Sequence, residues 1–250
     1  MRVNTDNLNL RSSPEVIDGN VIATLPLCQA VSIVSSPADE RFWEVETVVN
    51  GVTLRGFVSK RFLRAPLSSA REKLLKEAVN EWIFFERGQG KETEDPFFRR
   101  VGDYWQALNI DLDGNDTGVP WSAAFMSFIV RRAGYTGFKF SDSHDKYIVD
   151  AKKKRLAGTT NAPFWLFRLT EHKPKLGDIV CMWRLVPRTY DDLPDDFASH
   201  TDVVVEVTGD VIKTLGGNVS DSVNRKTFNL RNDGFLKAEQ QLFAIMRNNR

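Results

Sequence analysis

The sequence predicts an α+β protein, helices packed on an antiparallel sheet, preceded by a small β-barrel. Three observations carry this expectation. Residues 3–63 break into short apolar segments divided by the turn signals Ser12-Ser13-Pro14, Asp18-Gly19-Asn20, Ser35-Ser36-Pro37 and Asn50-Gly51, the spacing of a small barrel or sandwich. Between residues 69 and 133 apolar positions recur at helical spacing, and from 179 to 247 the chain turns to β-rich runs separated by Pro, Asp and Gly. Helices first and antiparallel strands afterwards define the α+β class.

Each element has its own warrant. Asn50-Gly51 joins Trp43–Val49 to Val52–Val58 as a tight hairpin, because both turn residues tolerate positive φ, and the register puts Trp43 and Val45 on one face. Residues 1–64 form the first domain, 65–70 the linker around Ala65-Pro66-Leu67-Ser68-Ser69, and 71–250 the second domain. Ser69 is the candidate N-cap of a helix through Leu74, Leu75, Ala78, Val79, Trp82, Ile83 and Phe85, stopped by Gly88-Gln89-Gly90. A second helix covers Phe97 to Leu108. A third starts near Pro120 and ends at Gly134, following the preference for Pro in the first turn and Gly after the last. Strands are expected over Ile179–Arg184, Thr201–Val207, Val211–Gly216 and Leu242–Arg247. Asp111 to Gly118 has a faint look of a calcium loop, but its glycine is misplaced and its twelfth position is Ser122, which favours a solvated loop.

Composition narrows the function classes. Lys+Arg 34 against Asp+Glu 33 leaves a formal charge of +1, so no overall field draws the chain to nucleic acid or an anionic membrane. The basic run Lys152-Lys153-Lys154-Arg155 lacks interleaved aromatics and reads as a solvated helix face. No stretch approaches the ~20 apolar residues that span a bilayer, and the N-terminus lacks the basic-then-apolar layout of a secretory leader. A target outside the cytoplasm then requires delivery by a secretion machine, by lysis, or by a leader lost from this sequence. Cys28 and Cys181 fall in different domains, so no disulfide is expected, and three histidines and two cysteines show no zinc-type spacing. No metal or cofactor is expected.

Leu8-Asn9-Leu10-Arg11-Ser12-Ser13-Pro14, Val21-Ile22-Ala23-Thr24-Leu25-Pro26, Phe42-Trp43-Glu44-Val45 and Gly56-Phe57-Val58-Ser59-Lys60-Arg61-Phe62-Leu63 resemble bacterial SH3 domains in order and spacing. That resemblance implies an SH3-like barrel that binds cell-wall peptide or glycan beside a hydrolase. The bland alternative is a barrel that only packs on its neighbour.

A nucleophile at a helix N-terminus, a histidine at the start of a later strand and an amide on the next strand suit acyl transfer, and Ser122, His200 and Asn218 occupy those places. Pro120-Trp121-Ser122-Ala123-Ala124-Phe125-Met126-Ser127-Phe128, Lys175-Leu176-Gly177-Asp178-Ile179-Val180, His200-Thr201-Asp202-Val203-Val204-Val205-Glu206-Val207 and Leu215-Gly216-Gly217-Asn218-Val219 are similar to the CHAP and NlpC-type papain-like peptidoglycan amidases and endopeptidases. The resemblance runs through about residues 80–225 and looks nearest to an uncharacterised branch. It implies a papain-like fold with Ser122 as nucleophile, His200 as base and Asn218 orienting the imidazole. In the CHAP-type motif the residue after Trp is cysteine, and here it is serine, which depends wholly on its base and oxyanion hole.

Competing readings stand beside these. Ser122 is equally a helix N-cap, and Gly216-Gly217-Asn218 is also an ordinary turn. Asp202, two residues past His200, is a second candidate orienter. Cys181 pairs with His200 if a hairpin brings them together, though a buried strand cysteine is the expectation. His144 is expected to cap or decorate a helix start, with a pocket-lining role as the alternative, and His172 to sit in exposed loop. Two functions follow: a peptidoglycan hydrolase using Ser122 (or Cys181) with His200, or a papain-like protein that has lost its nucleophile and only binds wall peptide.

Overall fold

The computed structural model describes residues 1–37 and 40–250, and the chain divides into two compact units, Met1–Ser68 and Ser69–Arg250. The first unit is all β. Strands β1 (Arg2–Val3), β2 (Leu8–Arg11), β3 (Val21–Leu25), β4 (Ser32–Ser35), β5 (Phe42–Val49), β6 (Val52–Ser59) and β7 (Leu63–Arg64) form a five-stranded antiparallel sheet, order β3-β2-β6-β5-β4, and a β1-β7 ribbon. The Asn50-Gly51 hairpin is as expected: Val49 pairs with Val52, with φ of 50° and 79° at the turn residues. Val3, Leu8, Leu10, Leu25, Val31, Val45 and Val58 make the core.

A small SH3-like barrel was expected, and among the described residues the strands do not close into one. Among the described residues no ladder joins the outer strands β3 and β4, and Val21 and Ile22 on β3 are exposed. The two-residue β1 bridges Ala30 just ahead of β4 and pairs with β7, so the extra backbone bonds go into a ribbon instead of closing the sheet.

In the second unit four helices, α1 (Ser69–Phe84), α2 (Phe97–Gln106), α3 (Ser122–Arg132) and α4 (His144–Leu156), precede six strands. The strands are β8 (Phe164–Arg168), β9 (Ile179–Trp183), β10 (Ser199–Thr208), β11 (Val211–Gly216), β12 (Asn224–Asn229) and β13 (Leu242–Asn248), all antiparallel, in the order β12-β11-β10-β9-β13-β8. The α+β class holds. One sheet face carries Val180, Met182, Val204, Ile212, Phe228 and Ile245, closed over by Leu230 and Leu236 from the chain between β12 and β13. Helices α1, α3 and α4 pack against β10, and with Leu230 and Leu236 closing over the Val204 cluster its residues 200–206 are all buried. None of the helices among the described residues is long and apolar enough to cross a membrane.

Buried ion pairs fasten the helices. Glu81 of α1 accepts two hydrogen bonds from Arg100 of α2 and one from the Tyr104 hydroxyl at 2.7 Å. Asp178, fully buried, accepts from the backbone of Lys175 and Asn248 and meets Arg71 of α1 at 3.4 Å. His172 also turns inward to it, Nε2 to Oδ2 at 2.7 Å, and so is not the exposed loop residue expected. A carboxylate at zero exposure needs all these partners to offset its desolvation. Nor is the run 152–155 simply solvated: Lys152 donates to the Tyr190 carbonyl, Lys153 and Lys154 pair with Asp195 and Asp150, and Arg155 pairs with Glu171.

Candidate active site

The start of α3 fixes the serine. Trp121 occupies the N-cap position without a side-chain cap bond, and its buried indole stacks on Phe85, packs against Tyr104 and donates to the Glu92 carboxylate. Ser122 is therefore the first helical residue, not the cap. Its hydroxyl is committed elsewhere, to His144 Nε2 at 2.7 Å. His144 reaches it because Ser127 of α3 ties down Ser141 through two hydrogen bonds, which sets α4 to begin beside the start of α3.

Ser122, His144, His200 and Asn218 line one cleft of about 530 Å3, with Arg184 and Leu185 on its rim. His144 and His200 are nearly fully buried, their ring centroids 5.2 Å apart. No hydrogen bond joins Ser122 to His200 among the described residues; the serine's partner is the other imidazole.

The two rings stand in unlike surroundings. His144 Nδ1 faces the Thr201 hydroxyl at 2.9 Å and the Tyr147 hydroxyl, which themselves lie 3.1 Å apart. Burial, then the neighbouring His200, pushes His144 well below the ordinary histidine range. His200 Nε2 instead meets Asp202 Oδ1 at 2.8 Å. Burial lowers His200 too, but Asp202 opposes the shift, while Lys226 and Arg184 add to it. Asp202 is fully buried, accepts from Thr214 at 3.1 Å and meets Lys226 at 3.3 Å. Burial alone would raise its carboxyl; His200 and Lys226 outweigh that and hold it below the usual carboxylate range.

Asp202 thus holds the His200 ring, rather than Asn218. Asn218 lies in the loop after β11 at φ +52°, half-buried on the cleft wall, with no side-chain hydrogen bond among the described residues. The Gly216-Gly217 pair ahead of it is required by space: a Cβ at Gly216 would come 1.8 Å from Asp202 Oδ1, and one at Gly217 2.6 Å from the Phe125 side chain.

The Cys181/His200 alternative fails on register. His200 pairs with Met182, and Cys181 with Thr201, so the two side chains point to opposite sheet faces. The thiol is fully buried, and burial pushes it far up, away from the reactive thiolate. Cys28 is also buried. The acidic loop is a set of turns, Asp113 and Asp116 accepting from the backbone of Asn115 and Asp113. Among the described residues no group of three or more His, Cys, Asp or Glu side chains is placed to hold a metal ion.

Sequence reasoning gave His144 too small a part and did not reach Tyr147, Thr201, Thr214 or Lys226. His144 and Tyr147 are three apart at a helix start and so share a face, a local signal. Lys226 has no local signal; only the β11–β12 ladder brings it opposite Thr214.

A serine at a helix start and two buried histidines in one cleft, on an α+β scaffold, define the molecule's chemistry-bearing unit. A family described as an uncharacterized protein conserved in bacteria (DUF2272) matches residues 106–249, over half of the chain, and the chain belongs to that family. No curated protein matches the sequence. Among solved structures, NlpC2 from Trichomonas vaginalis aligns with 99% of this chain and 71% of that chain at 12% identity and a TM-score of 0.31, a likeness too slight to carry an argument.

Proposed function

We propose that the cleft of the second unit hydrolyses an amide bond of peptidoglycan by acyl transfer, as an amidase or endopeptidase on the papain-like plan. The first unit serves as a wall-binding module of the bacterial SH3 type, binding peptide or glycan. The observation that carries the reading is the convergence of Ser122, His144 and His200 on one cleft at the start of α3, with the buried Asp202 carboxyl group behind His200. The resemblance of the 120–128, 200–207 and 215–219 segments to CHAP and NlpC-type enzymes supplies the substrate class.

In this reading the Ser122 oxygen attacks the carbonyl carbon and its proton passes to His200, whose imidazolium Asp202 stabilises. The carbonyl oxygen gains the electron pair and meets backbone N–H groups at the α3 start, where the helix dipole favours negative charge. Collapse of the intermediate expels the amine, which takes the proton from His200, and water then releases the acyl group by the same steps. Asn218 on the wall contacts substrate instead of orienting the base. The site of action is the cell envelope, and tethering by the first unit raises the local concentration of the second.

A non-cleaving wall-peptide binder is the second reading, favoured by serine in place of cysteine and by the engagement of its hydroxyl with His144. Incubation with purified peptidoglycan and mass spectrometry of released muropeptides separates the two. The hydrolase reading expects new muropeptides from the wild type and a rate loss of roughly 10³-fold or more in Ser122→Ala and His200→Ala. Wild type that releases nothing overturns it.

A further inference from the structure

We propose that the hydroxyls of Tyr147 and Thr201 together fix His144 as a neutral imidazole with its proton on Nε2, so that this ring donates a hydrogen bond to the Ser122 oxygen and is not the base. The role this gives His144 in turnover rests on the acyl-transfer reading above; the protonation pattern itself does not.

The argument is a count of protons in a closed space. Three groups meet at His144 Nδ1: the ring nitrogen, the Tyr147 hydroxyl and the Thr201 hydroxyl. All three residues are buried, and among the described residues neither hydroxyl has a partner outside this trio. If His144 accepted the Ser122 proton at Nε2, its own proton would sit on Nδ1. Nδ1–H, Tyr O–H and Thr O–H would then be three donors, and the only oxygens to receive them would be the two hydroxyls. One of those hydroxyl protons would have nowhere to go, and a buried donor without an acceptor is strongly disfavoured.

The opposite pattern places every proton. Thr201 donates to the Tyr147 oxygen, Tyr147 donates to bare Nδ1, and Nε2–H donates to Ser122 Oγ at 2.7 Å. The serine proton is then free to point into the cleft. Among the described residues no carboxylate hydrogen-bonds to His144, unlike His200 with Asp202, so none of them pulls a proton onto Nδ1. Burial, with His200, Arg184 and Lys226 adding to it and Asp202 opposing, leaves the ring uncharged at neutral pH, and burial keeps Tyr147 protonated.

In turnover, His144 is then a catalytic residue of a particular kind: a fixed N–H aimed at the attacking oxygen, which stabilises charge on Ser122 as its proton leaves. Tyr147 and Thr201 are positioning residues that act through it. The two histidines divide the work, one donating throughout and the other shuttling the proton.

Two-bond proton–nitrogen correlation spectra of the full chain labelled with 15N-histidine read the pattern directly, with His144→Phe identifying the signals. In the wild type at neutral pH, His144 is expected to show a protonated Nε2 and a bare Nδ1. Tyr147→Phe and Thr201→Val should each keep that pattern, because one hydroxyl still donates to Nδ1. The double variant should lose it and give averaged shifts of mixed tautomers. A protonated Nδ1 in the wild type overturns the proposal, as does a double variant that keeps the wild-type pattern; should the double variant not fold, the wild-type and single-variant spectra still decide. The spectra need no turnover. An inactive cleft therefore leaves the assignment standing, and a Nδ1–H His144 leaves the hydrolase reading standing with a different base.

Discussion

The cleft sets two histidines side by side and treats them differently. The one on the helical wall, His144, is backed by two neutral hydroxyls, and the one on the sheet wall, His200, by a buried carboxylate that a threonine and a lysine hold in turn. Both rings lie in the dry interior, so both lose affinity for a proton. Asp202 returns some of it to both, but only His200 hydrogen-bonds to that carboxylate. The pair teaches that burial sets the direction of a histidine's shift, while the next atom along decides whether the ring can still exchange a proton in use.

The largest expected effect comes from erasing that difference. Asp202→Asn leaves His200 without its anion and Lys226 as a buried unpaired cation, and should cost about 3–5 kcal/mol of stability by denaturant titration. Muropeptide release should fall to background in the same variant. If release and stability both survive, the two rings are equivalent and the contrast is wrong.

Acid titration sharpens the contrast. Both folded pKa values lie below the ordinary value of about 6.5, so as pH falls through that range the unfolded chain takes up protons that the folded chain refuses. Stability is thus fully present above about pH 6.5 and declines below it, by up to about 1.4 kcal/mol per pH unit for each histidine. Asp202, held ionised in the fold, adds a further decline once the unfolded carboxyl begins to protonate near about pH 3.9. Denaturation midpoints measured across this range should show the loss, and His144→Phe should make the upper part of the curve shallower. In NMR titration His200 should charge at higher pH than His144; the reverse order would break the assignment.

The smallest effect belongs to Cys181. Its side chain is on the opposite sheet face from His200, so Cys181→Ala should change hydrolysis less than about twofold and cost roughly 1 kcal/mol for the lost buried sulfur, by denaturant titration.

Much of the scaffold was legible because its signals are local. Asn50-Gly51 dictates its own turn, Pro120 and Gly134 bracket α3, and β-rich runs mark β9, β10, β11 and β13. Strand β12, Asn224–Asn229, escaped because its residues are mostly polar: it is an edge strand, whose Arg225 pairs with Glu206. The site divides the same way. Asp202 stands two residues from His200, so the pair is written on one strand. The meeting of Ser122 with His144, and of His144 with Thr201 57 positions away, depends on where α4 lands against β10, and no periodicity encodes that.

The place of β13 in the sheet has a consequence for how the molecule is made. This strand, Leu242–Asn248, runs between β9 and β8, and β9 is the neighbour of the strand bearing His200. On the ribosome, β9 and β8 must wait with their facing edges open until residue 248 has cleared the exit tunnel. Nascent chains stalled short of that point would expose two unsatisfied edges, the state most prone to pairing with a neighbour's strand.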